Sequence, residues 1–302
     1  MSPLYRLILS SFLLPVSLSA ASAQSSKDAY SLFSPTPREE MRELSTDRPD
    51  RTESPYSVDA GHFQVEADVL TFSRDHNNNG GEDTVTRAWG VGVLNLKAGL
   101  TNDIDLQVVL DNYQRERVID RLAGTRESTD GFGDTTVRLK YNLWGNDEGN
   151  TALAIMPFIK LPTNSNDLGN DDVEGGIILP YAIGLGDNYG LGLMTEVDII
   201  RNESNEGYSP SFVNTATIGV DLTERLASYY EIATERNTDI NRWLVTFDTG
   251  ITYAATETFN WIWASISVLP RQQTITTRLW AFRTVINIRA ARKNLRPQRK
   301  PI

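Results

Sequence analysis

From Phe63 to Tyr253 the chain alternates apolar and polar residues with a period of two, one stretch after another. Successive side chains of an extended strand point to opposite faces. Phe63, Val65, Ala67, Val69 and Thr71 therefore share one face, and Gln64, Glu66 and Asp68 share the other. One face suits hydrocarbon and the other suits water. Short turns at one end and longer polar loops at the other complete the pattern of an antiparallel, transmembrane, up-and-down β-barrel.

The N-terminus supports export. Arg6 precedes a mostly apolar run from Leu7 to Leu18, and Ala21-Ser22-Ala23 stands ahead of Gln24. This is the layout of a signal peptide over residues 1–23, cleaved after Ala23. No later stretch offers the roughly 20 apolar residues of a helical span, so a membrane-spanning mature chain must cross with strands. With no cysteine, disulfide frameworks, thiol catalysis and zinc–thiolate sites are excluded together. The net charge of -10, pI near 4.8 and mean hydropathy of -0.33 fit a soluble protein, but also a barrel with a wet lumen. An acidic chain lacks the basic footprint of a nucleic-acid binder.

Residues 24–61 contain Pro35, Pro37, Pro49 and Pro55 and little alternation, so they read as a pre-barrel segment, periplasmic or inserted into the lumen. Residues 62–258 read as strands one to ten. The polar face supplies the lumen-lining candidates: Glu66, Asp68, Lys97, Asp105, Gln107, Arg138, Lys140, Glu196 and Asp198. Burying Arg138 and Lys140 in an apolar core would be costly, whereas a hydrated lumen accepts them. A charged loop is expected over Gln114–Asp130, and irregularity at Pro157 and Pro180, which cannot donate to a ladder. Trp89, Trp144, Trp243, Tyr141, Tyr181, Tyr189 and Tyr253 fall near strand ends, where aromatic girdles sit.

Several strings carry a resemblance: Thr46-Asp47-Arg48-Pro49-Asp50, Gly61-His62-Phe63-Gln64, Gly131-Phe132-Gly133-Asp134, Arg138-Leu139-Lys140-Tyr141-Asn142 and Pro157-Phe158-Ile159-Lys160-Leu161-Pro162. With them the chain resembles the outer-membrane transporter family named for the meta-pathway of phenol degradation, over about Thr46 to Thr258. The resemblance implies about twelve strands and a transport role, and supplies no catalytic residue.

Beyond Glu257 the composition breaks. None of the 39 acidic residues lies between Thr258 and Ile302, a stretch that holds nine of the 29 cations. We read residues 259–302 as an atypical basic segment produced by a reading-frame shift near Thr258. One nucleotide back, the codons spanning Thr258 to Ala264 give an apolar residue, then Gln, Leu, Asp, Leu or Met, and Gly, which is an alternating strand start. The same frame permits Ser-Tyr-Arg-Tyr-stop across Phe282 to Asn287. On this reading the last two strands are compromised and strand one lacks its closing partner, at several kcal/mol per unpaired backbone group in lipid.

Asp75-His76-Asn77-Asn78-Asn79-Gly80 imitates a calcium loop, but its twelfth position is Thr86 rather than Glu, and a polar hairpin loop is the better reading. His62 and His76 are expected at opposite membrane faces, and no Gly-x-Ser-x-Gly or His-Glu-x-x-His motif occurs, so no enzyme is expected. Glu196 with Asp198, and Arg138 with Lys140, either bias permeation as charged patches or line a hydrated wall. The reading is an outer-membrane channel for passive passage of small solutes, hydrophobic or aromatic compounds among them. The alternatives are a soluble ligand-binding barrel with apolar residues inside, or a plugged structural barrel. Expected partners are outer-membrane lipid, periplasmic chaperones, the barrel-assembly machinery and a small-molecule solute. No cofactor, metal or nucleic acid is expected.

Overall fold

A computed structural model describes residues 26–48, 50–77, 81–202, 204, 206–239, 242–256, 259–268 and 278–288. The leader with Ala23, residues 78–80 of the calcium-like string and the tail from Arg289 lie outside the described residues. Two short 3-10 turns (Ser26–Ala29 and Arg38–Glu40) precede thirteen strands. These are β1 (Phe63–Asn77), β2 (Thr84–Gly99), β3 (Ile104–Asp120), β4 (Thr125–Gly131), β5 (Thr135–Trp144), β6 (Thr151–Leu161) and β7 (Glu174–Gly184). They continue with β8 (Tyr189–Arg201), β9 (Tyr208–Asp221), β10 (Leu226–Asn237), β11 (Arg242–Thr256), β12 (Phe259–Val268) and β13 (Arg278–Ile288).

Every pairing is antiparallel, and β13 pairs with β1 while β2 pairs with β3, so the sheet closes on itself. Twelve strands form the ring; β4 pairs only with the upper part of β3 and extends the wall as a hairpin. Two expectations are corrected here. Residues from Gln114 to Asp130 are not a loop but the end of β3, a tight turn and β4. Strand one also has its closing partner, because β12 and β13 are strands and the register sets Arg283 across from Asp68. Closure is the physical requirement: in lipid no strand edge can be left without hydrogen-bond partners.

The alternation sorts as a barrel requires. Asp105 and Gln107 are completely buried inside, while Leu106 between them is 37 % exposed on the outer wall. From Phe63 to Phe72, both exposed, β1 advances about 30 Å along the strand, or about 25 Å along the membrane normal at the usual tilt, the height of an apolar band.

The sorting flips sides partway up three neighbouring strands. A register shift between Asp68 and Leu70 carries Thr71 to the inner face and Phe72 to the outer one. On β2, Gly92 takes a left-handed φ of 72° opposite Asn112, with no pairing between them. Below that point Asn95 and Lys97 face inward; above it Trp89 and Val91 face outward. A bulge inserts one residue and thereby reverses the period-two facing. Pro157 and Pro180, by contrast, stay in register opposite Ile177 and Met194; the shift in that region lies between Asn142 and Trp144.

Candidate functional site

The interior of the ring is occupied by the segment before His62. Its two ends fasten to the short turns. Lys27 Nζ pairs with Asp147 at 2.6 Å, and Leu32 donates its backbone N–H to Leu100 O at 2.8 Å. Arg42 Nη1 donates to Asn102 Oδ1 at 2.8 Å and pairs with Asp147 at 3.1 Å. Ser57 N donates to Asn146 Oδ1, and Val58 N to Asp105 Oδ2. Asp147 lies at an exposed turn, and although partial burial works the other way, Lys27, Asn102 and Arg42 together hold its carboxyl below the ordinary range.

Between these moorings, residues 46–54 rise into the barrel. Asp47 is the anchor. Its Oδ1 meets Lys140 Nζ at 2.5 Å and its Oδ2 meets Lys97 Nζ at 2.5 Å; Gln107 and the Ser54 backbone also donate to it. Lys97 pairs in turn with Glu66, which accepts the Asp47 N–H. Asp47, Glu66, Lys97 and Lys140 are all buried. Burial alone would raise the Asp47 pKa, but Lys140 and Lys97 outweigh it and hold the carboxyl well below the usual range.

The other side of the segment meets an acidic wall. Glu231 on β10 accepts the N–H groups of Arg51 (2.7 Å) and Thr52 (2.9 Å) and the Thr52 hydroxyl (2.7 Å). Thr52 Oγ1 lies 2.6 Å from Thr215 Oγ1, and Arg51 pairs with Glu235 at 3.1 Å. Burial and the neighbouring Glu231 push the Asp50 carboxyl well above its ordinary range. Glu53 pairs with Arg138 at 2.6 Å, and Arg48 with Asp68 at 3.3 Å.

All nine lumen candidates named from the sequence lie on strands and face the ring interior. Seven of them (Glu66, Asp68, Lys97, Asp105, Gln107, Arg138 and Lys140) contact the segment directly or through one another. Glu196 and Asp198 stand two residues apart on the same face of β8. The suggested Arg138–Lys140 basic patch is therefore not open to solute, since Glu53 and Asp47 occupy it.

Three features were not foreseen. Asp47 and Glu231 serve as anchors. Met156, Ile178, Met194 and Val213, with Phe158, form an inward-facing apolar cluster against which the Glu53 backbone rests. The loop 162–173 folds onto Asp134, which accepts from Asn164 Nδ2 and Asn170 N at 2.8 Å each. Asn166 and Asp167 hold left-handed φ values in this loop, and a cleft of about 280 Å³ opens between it and Ala88, Gln114 and Glu116. Of the calcium-like string, Asp75, His76 and Asn77 belong to β1, and His76 pairs with Asp83 at 2.8 Å. No cluster able to hold a metal occurs among the described residues.

The family model described as "Putative MetA-pathway of phenol degradation" matches residues 46–281. The chain belongs to this family. The match runs past Thr258, farther than the quoted strings alone. Among solved structures, an outer-membrane channel from Pseudomonas putida F1 superposes with a TM-score of 0.58 at 13% identity, covering 81% of this chain and 100% of that one. The transport unit of the autotransporter AIDA-I from Escherichia coli gives 0.50 at 11% identity, covering 74% and 90%. No curated protein matches. With a closed ring, an apolar outer band and a charged interior, this member of the family has the fold of an outer-membrane β-barrel.

Proposed function

We propose that the protein is a passive outer-membrane channel for small solutes, with the 26–62 segment as a constriction of its lumen. The observation that carries this reading is the interior itself. It is a charged, hydrogen-bonding passage narrowed by a strap of chain, not the closed apolar pocket of a soluble ligand-binding barrel. The apolar cluster of Met156, Ile178, Met194 and Val213 is buried beneath the strap, so the face left to a solute is the acidic one, with Glu196 and Asp198; any hydrophobic or aromatic solute would meet the cluster only where the strap moves aside. Nothing in this arrangement requires bond chemistry from the protein. Its partners on this reading are outer-membrane lipid and the solute, with periplasmic chaperones and the barrel-assembly machinery during biogenesis.

Because the chain has no cysteine, Thr52→Cys with Thr215→Cys gives a clean test. Locking the strap to β9 by oxidation should lower conductance in planar bilayers and slow solute uptake into proteoliposomes, with reduction restoring both. A barrel silent in both states favours the plugged structural reading, for which the ion-paired strap also speaks. The frame shift near Thr258 is likewise a proposal. Mass spectrometry of the C-terminal peptide decides it: a peptide reading through to Ile302 from an intact frame refutes it.

A further inference from the structure

Above the points on β1 and β2 where the facing reverses, the outer wall carries a row of arginines. Arg74 on β1 stands directly across from Arg87 on β2, which stands across from Arg117 on β3. One row nearer the membrane centre, Phe72 lies across from Trp89, and Trp89 across from Arg115. Trp89 stacks near Tyr113 with ring centroids 5.4 Å apart. Phe72 and Trp89 are about 40 % exposed, which fixes this face as the outer one. Side chains two residues apart on a strand share a face, so Arg74 and Arg87 project from the same wall one step above the aromatic row. Arg126 on β4, across from Ile119 on β3, adds a further cation to that face.

Strands lie about 4.8 Å apart, and like charges directly opposite one another destabilise a pair. Three guanidinium groups in one row are therefore unfavourable unless an anion sits among them. Among the described residues, no carboxylate forms an ion pair with Arg74, Arg87 or Arg117. Asp130, the nearby acid on β4, accepts from Tyr113 at 3.0 Å. The opposite end of the ring carries the short turns and the N-terminal segment, so this row belongs to the outward-facing leaflet. Its height, about 5 Å above the aromatic row along the normal, is that of lipid headgroups.

We propose that Arg74, Arg87 and Arg117 form a docking site for a phosphorylated lipid headgroup of the outer leaflet, with its acyl chains lying along Phe72, Trp89 and Val91. Guanidinium forks match phosphate oxygens in bidentate fashion and remain charged at every physiological pH. A headgroup bearing two phosphates could neutralise the row while the aromatic shelf below receives the chains. The break in alternation on β1 and β2 then has a use, because it brings aromatic and arginine residues to the lipid side at this height only.

The test uses the full chain in detergent micelles, with diphosphoryl lipid A and its dephosphorylated form as probes, read by native mass spectrometry and thermal melting. Diphosphoryl lipid A should remain bound and raise the Tm, and the dephosphorylated form should do neither. The triple change Arg74→Gln, Arg87→Gln and Arg117→Gln should weaken binding by about tenfold or more, while Arg225→Gln at a short turn should leave it unchanged. Heat-modifiable mobility reports whether each variant has formed its barrel. The single change Arg87→Gln, at the centre of the row, should by itself weaken binding and raise the lipid-free Tm by relieving repulsion. Equal binding of both lipids, or unchanged affinity in Arg87→Gln, overturns the proposal.

Discussion

The two walls that face the strap hold it by different physics. On β2 and β5 the wall is basic: Lys97, Lys140 and Arg138 meet Asp47 and Glu53, charge against charge, in full burial or near it. On β10 the wall is acidic, and Glu231 is met chiefly by dipoles, the N–H groups of Arg51 and Thr52 and a hydroxyl. A buried ion pair binds tightly because separating it strands a charge, whereas a carboxylate held by N–H groups can exchange them for water at less cost. The strap is thus fixed along the basic wall and leans on the acidic one. Any widening of the lumen should begin on the acidic side, past Glu196 and Asp198.

The largest effect should come from the basic wall. Asp47→Asn leaves Lys140 without its carboxylate and Lys97 with Glu66 alone; removing one partner of a buried pair costs about 3–5 kcal/mol. The strap should leave the lumen, and single-channel conductance in planar bilayers should rise several-fold. An unchanged conductance would remove the distinction between the walls. Glu231→Gln should do less, about 1–3 kcal/mol, because the amide oxygen still accepts one N–H and the repulsion with Asp50 disappears. More frequent brief openings, without a new stable conductance level, are the expected trace. If this variant opens the channel as widely as Asp47→Asn, the acidic wall is the true anchor.

The sequence shows the walls far better than it shows what joins them. Period two sorts Gln64, Glu66 and Asp68, or Asp105 and Gln107, correctly, because a one-residue error would drive charge into lipid. It misplaces Thr71, since a bulge has no period. It reads Gln114 to Asp130 as loop, since a strand wet on both faces carries no apolar alternation. Met156, Ile178, Met194 and Val213 sit at inward positions and are apolar, against the binary rule, because there the strap rather than water covers the wall. Asp47 stands out only as part of a motif in a segment without strand pattern, and its partners Lys97 and Lys140 lie 50 and 93 residues away. Nothing local could have paired them.

Two smaller tests sharpen the contrast. If solute and ions pass along the acidic side, Glu196→Gln with Asp198→Asn should shift the reversal potential in a salt gradient toward zero from a cation-preferring value, leaving conductance nearly unchanged. A wild-type anion preference would contradict that route. The smallest effect concerns pH, and its sign follows from the two aspartates of the strap. Asp47, held low by Lys140 and Lys97, contributes stability that is complete above the unfolded carboxyl pKa of about 3.9 and is lost only as pH falls through its lowered folded value. Asp50, raised by burial and by Glu231, instead costs stability while ionised, and that cost disappears as it takes up a proton on acidification. Lowering the pH from 7 to 5 therefore leaves the basic wall intact and relieves the acidic one, so the strap should sit more firmly and openings should become rarer. Bilayer recordings that show more openings at pH 5 would mean that the carboxylates on the acidic side hold the strap through their charge, and the two walls would then differ in sign but not in kind.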